Sequence, residues 1–181
     1  MILRYLIILL ILLPIRAFAI IEVDITRGNL NPLPIAVSPL SIDEKSKNSF
    51  NKILKKKNIG AEISSIVENN LRQSGLFNPL NKDAFLQKPD IANLKPRFED
   101  WNLIKAQVLI TGKVTSVDEN LRVEFRLWDV LSGKEMKALA FTTVPSNWRR
   151  VGHIITDKVY ETLTGEKGYF DTRIIYVAEE G

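Results

Sequence analysis

Few side chains in this sequence could carry out acid–base chemistry. The single histidine, His153, precedes Asp157 by four residues, so on a helix the two side chains lie one turn apart on the same face. Such a pair could form an oriented general base or half of a metal site. The sequence has no second histidine and no cysteine to complete a metal site, and no nucleophile-elbow motif. We therefore favour a structural histidine, and keep a small hydrolase that uses His153 and Asp157 as the alternative.

The glycines and aromatic residues do not indicate a cofactor either. Residues 164–168 have neither Walker nor dinucleotide spacing. The three tryptophans, Trp101, Trp128 and Trp148, fall on different predicted elements and so form no platform for stacking bases. We expect no cofactor, no metal ion and no catalysis. The sequence indicates a binding or assembly module.

The first nineteen residues have the pattern of a secretory signal peptide. Arg4 precedes a short apolar run, and Ala17 and Ala19 occupy the −3 and −1 positions of a cleavage site. The run is short for a membrane span of about 20 residues, and Pro14 and Arg16 interrupt it. We expect cleavage after residue 19 and no membrane insertion afterwards. An exported chain without cysteine fits the periplasm.

The charge of the mature chain is small. Without Arg4 and Arg16 it has 23 basic and 21 acidic residues, a net charge of +2. Its lysines are concentrated in residues 41–57, which we interpret as a solvated loop or a frayed helix, and which could alternatively face an anionic surface. Nucleic-acid binding through residues 52–57 is a further hypothesis and would require a steep salt dependence. The mild net charge and the export signal both count against nucleic acid as a partner.

Residues 106–143 organise the predicted fold as three strands joined by two short turns. Leu121, Val123, Phe125 and Leu127 alternate with polar or amphipathic residues, which is typical of a strand with one buried face. Residues 118–120 and 131–134 contain the Asp, Asn and Gly that tight turns require. Residues 106–110 are more continuously apolar, as expected for a central strand covered on both faces.

Two segments show the apolar periodicity of amphipathic helices. Residues 58–74 begin at a potential N-cap, Asn58, and are followed by Gly75. Residues 146–164 begin at Ser146, which we expect to act as the cap, and are followed by Gly165. The predicted fold class is therefore α/β, a mixed sheet with a three-strand antiparallel meander and two amphipathic helices packed on it.

The remaining segments give weaker patterns. Residues 21–26, 33–39 and 172–178 are predicted strands, and the prolines of the second favour strand ends or a sheet edge. Residues 87–97 contain two prolines and are predicted to be a loop. Residues 98–101 are predicted to form a helical turn, with Trp101 in the core beneath that loop.

Several of these segments together resemble the TolB family of the Tol–Pal system, specifically its N-terminal domain. They are the short strand and Pro34-Ile35-Ala36-Val37-Ser38-Pro39, the helix exit at residues 71–80, the meander residues 123–130, and the twenty-five-residue run 153–177. The resemblance covers essentially the whole mature chain, and the last run is its most specific part.

The resemblance implies a periplasmic protein with an α/β N-terminal domain and a C-terminal six-bladed propeller. The family links the inner-membrane protein TolA with the outer-membrane lipoprotein Pal, and it supports envelope integrity and outer-membrane constriction during division. The family binds TolA through its mature N-terminus, which corresponds by position to Ile21, Glu22, Val23, Asp24, Ile25, Thr26 and Arg27. Such an alternating segment could add to the sheet edge of a partner. It could equally pack on its own domain.

The resemblance also implies a domain organisation. Residues 1–19 would be the signal peptide, residues 20–34 the partner-binding segment, residues 35–165 the α/β domain, and residues 166–181 a linker with the first strand of a truncated propeller. No propeller repeat follows, so Pal binding by this chain is doubtful. We expect a fragment or broken reading frame of a longer protein, with a free-standing domain as the alternative.

Overall fold

The computed structural model describes residues 31–56, 58–94 and 96–172. This part of the chain forms six β-strands, five α-helices and two short 3-10 turns. The strands are β1 (Leu33–Val37), β2 (Ser41–Ile42), β3 (Phe77–Pro79), β4 (Val108–Val117), β5 (Asn120–Asp129) and β6 (Lys134–Thr143). The helices are α1 (Glu44–Leu54), α2 (Ile59–Gln73), α3 (Pro89–Leu94), α4 (Phe98–Leu103) and α5 (Trp148–Thr164). The 3-10 turns are Lys82–Ala84 and Pro145–Asn147.

All six strands belong to one mixed sheet. Its order is β3-β1-β4-β5-β6, and β2 pairs with the far end of β4. β1 runs parallel to both β3 and β4, whereas β4, β5 and β6 are antiparallel neighbours. The predicted α/β class and the three-strand meander are therefore confirmed.

The two turns of the meander explain its register. Asp118 and Glu119 both have positive φ, 48° and 62°, as a two-residue hairpin turn requires, and Val117 pairs directly with Asn120. Gly133 has a φ of 66° in the second turn. One irregularity follows between β5 and β6: Leu127 pairs with Lys137 and Trp128 with Glu135, so β6 has one extra residue at this point.

The predicted amphipathic helices α2 and α5 cover one face of the sheet. The apolar stripe of α5 is buried and shares one core with the alternating residues of β5; it consists of Trp148, Val151, Ile155, Val159 and Leu163. The two helices approach each other closely at Gly152, where an added Cβ would lie 2.9 Å from Cγ2 of Ile66. Glycine is needed at this position because the facing side chain leaves no room for a methyl group.

A second, smaller core lies on the opposite face of the sheet. Leu109 of β4 packs there with Trp101 of α4, which is 1% exposed. The indole Nε1 of Trp101 donates a hydrogen bond of 2.7 Å to Oε1 of Gln87. The predicted central strand is thus covered on both faces, and Trp101 is a core residue as expected.

Within the lysine-rich stretch, the described residues 41–56 are more ordered than a solvated loop. They contain β2 and α1, and the carboxylate of Asp43 caps α1 by accepting from the backbone N–H of Ser46 at 2.8 Å. Phe50 is fully buried and fixes the helix on the core. The loop interpretation is wrong for residues 44–54, and the alternative of a helix is correct.

Of two further expectations based on proline, one is wrong and the other is correct in part. Residues 87–97 contain α3, with Pro89 as its first residue, a position where the missing N–H costs no intrahelical bond. β1 is an interior strand and not an edge strand, but its prolines lie near its ends as expected, because Pro34 is its second residue and Pro39 comes shortly after its last residue. The carbonyl of Pro34 accepts a hydrogen bond from the backbone N–H of Gln107. The nitrogen of Pro34 faces the residues just before β4, where the sheet needs no hydrogen bond from β1.

Two details at the helix ends complete the comparison. Ser146 does not cap α5, because the 3-10 turn Pro145–Asn147 precedes the helix and Asn147 occupies the N-cap position without a side-chain hydrogen bond. Gly165 adopts the expected left-handed conformation, with a φ of 74°. The predicted strand at residues 21–26, and nearly all of that at residues 172–178, lie outside the described residues.

Candidate functional site

The predicted partner-binding segment precedes the described part of the chain. Ile21 to Arg27 lie outside the described residues, so their role remains a prediction. The described chain enters the sheet at Leu33, whose N–H donates to the carbonyl of Leu76 at 2.9 Å. The segment therefore connects, within a few residues, to the interior strand β1.

The imidazole of His153 faces α2. Its Nδ1 lies 2.9 Å from Nδ2 of Asn70, and the same amide nitrogen lies 3.1 Å from Oγ1 of Thr156. An amide nitrogen only donates, so Nδ1 of His153 accepts this hydrogen bond. The Thr156 hydroxyl in turn donates to the carbonyl of Gly152. His153 thus belongs to a polar bridge that joins α2 to α5.

Asp157 has different partners from His153. Its two carboxylate oxygens accept hydrogen bonds from the backbone N–H groups of Phe170, at 2.7 Å, and Asp171, at 3.1 Å. The chain comes so close that a Cβ on Gly168 would collide with the Cα of Asp157. The observed bonds of both side chains are structural, and they do not join His153 to Asp157 as the hydrolase hypothesis requires.

Residues 165–172 fold back along α5, and we name them the return segment. Asp171 binds the guanidinium of Arg150 through both carboxylate oxygens at 3.1 Å, and this carboxylate raises the pKa of Arg150 above its ordinary value. Tyr160 makes edge-on ring contacts with Tyr169 and Phe170. Sequence reasoning described these residues only as the start of a linker. The aromatic residues of this segment and its glycine at position 168 are the sequence features that could have indicated packing against α5.

Metal binding and membrane spanning have no support in the described residues. No group of three or more His, Cys, Asp or Glu side chains is placed there to hold a metal ion. Within the same residues, no helix combines the length and the apolar character needed to cross a membrane.

Two solved structures are similar to this chain, and the first of them supports the fold. The crystal structure of TolB from Acinetobacter baumannii superimposes with a TM-score of 0.62 and 22% sequence identity, over 78% of this chain and 30% of that chain. A PelC dodecamer from Paraburkholderia phytofirmans matches with a TM-score of 0.43 and 20% identity, over 75% of this chain and 90% of that one.

Sequence comparison identifies the family. The Tol-Pal system protein TolB of Pelagibacter ubique (strain HTCC1062) is 83% identical over all 181 residues, which span 41% of that relative's length. The family model of the TolB amino-terminal domain matches residues 21–136, which include β1 to β5 and the start of β6. The chain therefore belongs to the TolB family, and it contains that family's amino-terminal domain.

Proposed function

We propose that this chain is a periplasmic protein–protein interaction module of the Tol–Pal system, and that its mature N-terminus binds TolA. The match of the TolB amino-terminal domain to residues 21–136 supports this proposal most directly. The proposed binding residues 21–27 stand at the start of that match. Without catalysis, such a module would support outer-membrane integrity and constriction during cell division.

The proposed mode of binding is addition of a strand to a sheet edge of TolA. Residues 21–26 alternate apolar and polar side chains, so one face could pack on the partner while the backbone forms the ladder.

Export requires that residues 1–19 act as a signal peptide, so the mature chain would begin at Ile20. Sequencing the N-terminus of the protein from a periplasmic fraction tests that step.

A backbone substitution tests the binding mode. Val23→Pro removes an N–H from the proposed ladder, whereas Val23→Thr keeps the N–H and the branched shape. We expect the proline variant to weaken binding to the periplasmic part of TolA at least ten-fold, since a ladder bond is lost and the strand is distorted. The threonine variant should bind nearly as well as wild type in the same calorimetric titration.

The competing outcomes are distinct. Equal affinity of both variants for TolA would mean that residues 21–27 do not form a hydrogen-bonded strand with TolA. Full binding after deletion of residues 20–27 would move the TolA site elsewhere on the domain. Hydrolytic turnover that is lost in His153→Ala would instead favour the alternative function.

A further inference from the structure

The C-terminal end of α1 and the residues directly after it carry three lysines, and the fold places one of them and an arginine of α5 over the same tryptophan ring. Lys56 places its Nζ 5.4 Å from the centre of the Trp148 ring, and Arg149 places its guanidinium carbon 4.4 Å from the same centre. Lys52 lies in the last turn of α1, and Lys55 ends that helix in a left-handed conformation. We name these four cations the basic surface. They come from segments far apart in sequence, so the fold creates this concentration of charge.

Most of this charge is not neutralised by carboxylates. Lys56 pairs with Glu62 at 2.8 Å. Among the ion pairs of the described residues, none includes Lys52, Lys55 or Arg149. All three of these side chains are exposed. The surface thus presents about three uncompensated positive charges to solvent.

Two exposed aliphatic side chains accompany the cations. Ile53 is 48% exposed and lies on α1 between the lysines, and Val144 is 51% exposed just before the 3-10 turn that packs against α1. The Trp148 ring is only 6% exposed. It therefore acts as a buried platform for the cations, while the aliphatic groups remain available for contact.

We propose that the basic surface docks this protein reversibly on an anionic lipid bilayer. Each Lys or Arg held near an anionic membrane surface contributes favourably, and exposed aliphatic groups among cations can enter the headgroup region. Lysines at a helix end are flexible point charges, which suit a fluid array of phosphate headgroups better than the fixed carboxylates of one protein partner. Docking of this kind involves no membrane insertion, and it is separate from TolA binding by residues 21–27.

Vesicle sedimentation tests this proposal with the mature chain. The protein is mixed with vesicles of phosphatidylcholine alone, or of phosphatidylcholine and phosphatidylglycerol in equal parts, at low salt and at about 0.15 M salt. The test variant is Lys52→Gln/Lys55→Gln/Arg149→Gln. The matched control, Lys88→Gln/Lys105→Gln/Lys167→Gln, removes the same charge from exposed lysines elsewhere.

We expect wild type and control to sediment with the anionic vesicles, more strongly at low salt, and not with the neutral ones. Because each cation should change the binding constant about five-fold, the test variant, which lacks three cations, should bind the anionic vesicles about a hundred-fold more weakly. If loss of the Arg149 contact with Trp148 unfolds the triple variant, Lys52→Gln/Lys55→Gln should still bind roughly twenty-fold more weakly than wild type.

Three results would overturn the proposal. The first is equal binding to neutral and anionic vesicles. The second is an equal loss of binding in test and control variants, which would indicate an effect of net charge alone. The third is tight, salt-sensitive binding to a poly-glutamate peptide without any binding to vesicles, which would assign the surface to an acidic protein segment.

Discussion

The return segment should open when Asp157 is replaced by Asn. The carboxylate accepts from the N–H groups of Phe170 and Asp171, and hydrogen bonds to a charged acceptor contribute a net of about 1.5–3 kcal/mol each. Asn keeps one acceptor oxygen but turns an NH2 group towards the other N–H. We therefore expect a loss of about 3 kcal/mol in the free energy that holds this segment closed, which corresponds to an opening about a hundred-fold more frequent.

Hydrogen exchange measures this opening directly. The amides of Phe170 and Asp171 should exchange about a hundred-fold faster in Asp157→Asn than in wild type, while amides of β5 keep their protection. Trypsin should also cleave after Lys167 more rapidly. Glu161→Gln is the control, because that carboxylate pairs with exposed Lys158 on the same helix. Unchanged exchange at both amides would refute the assignment of Asp157 as the anchor.

Three further predictions concern the domain core and its polar contacts. Gly152→Ala should lower the free energy of unfolding by about 1–3 kcal/mol in urea titrations, and Ile66→Ala in the same chain should recover part of that loss because it removes the clashing group. Asp43→Ala should cost about 1 kcal/mol at neutral pH, measured against Asp43→Asn, which keeps the cap. The backbone hydrogen bond from Ser46 lowers the pKa of Asp43, so this contribution is complete above the ordinary value of 3.8 and is lost as the pH falls through the lowered pKa. His153→Ala should cost about 1–3 kcal/mol in the same urea titrations, because a buried N–H of Asn70 loses its acceptor, whereas calorimetric TolA affinity should not change.

The elements with a strong periodic pattern could be predicted from the sequence. β5 alternates at every position, and α2 and α5 each have a continuous apolar stripe, so both the type and the burial of these elements follow from local spacing. The capping of α2 by Asn58 could equally be predicted, because the side chain of Asn58 accepts from the backbone N–H of Ala61, only three residues later.

The parts that were mispredicted depend on contacts distant in sequence. α1 is mostly polar and is fixed by Phe50, whose burial becomes evident only when the sheet is present. β1 lies in the interior although it contains a proline, because that proline nitrogen faces chain ahead of β4. The polar partners of His153 and Asp157 could not be predicted either. Asn70 lies 83 residues from His153 in the sequence. The carboxylate of Asp157 accepts from backbone N–H groups, which no side-chain motif reveals.

The interior position of β1 determines how the domain would respond to mechanical force. A pull on the chain ahead of Leu33 acts along the axis of a strand that is paired with β3 on one side and β4 on the other. Its ladder bonds would have to slide apart together in shear, whereas an edge strand pulled sideways would unzip one bond at a time. A domain that is loaded through its N-terminal end therefore meets the load with two ladders in shear, and this geometry favours transmission of tension while the domain remains folded.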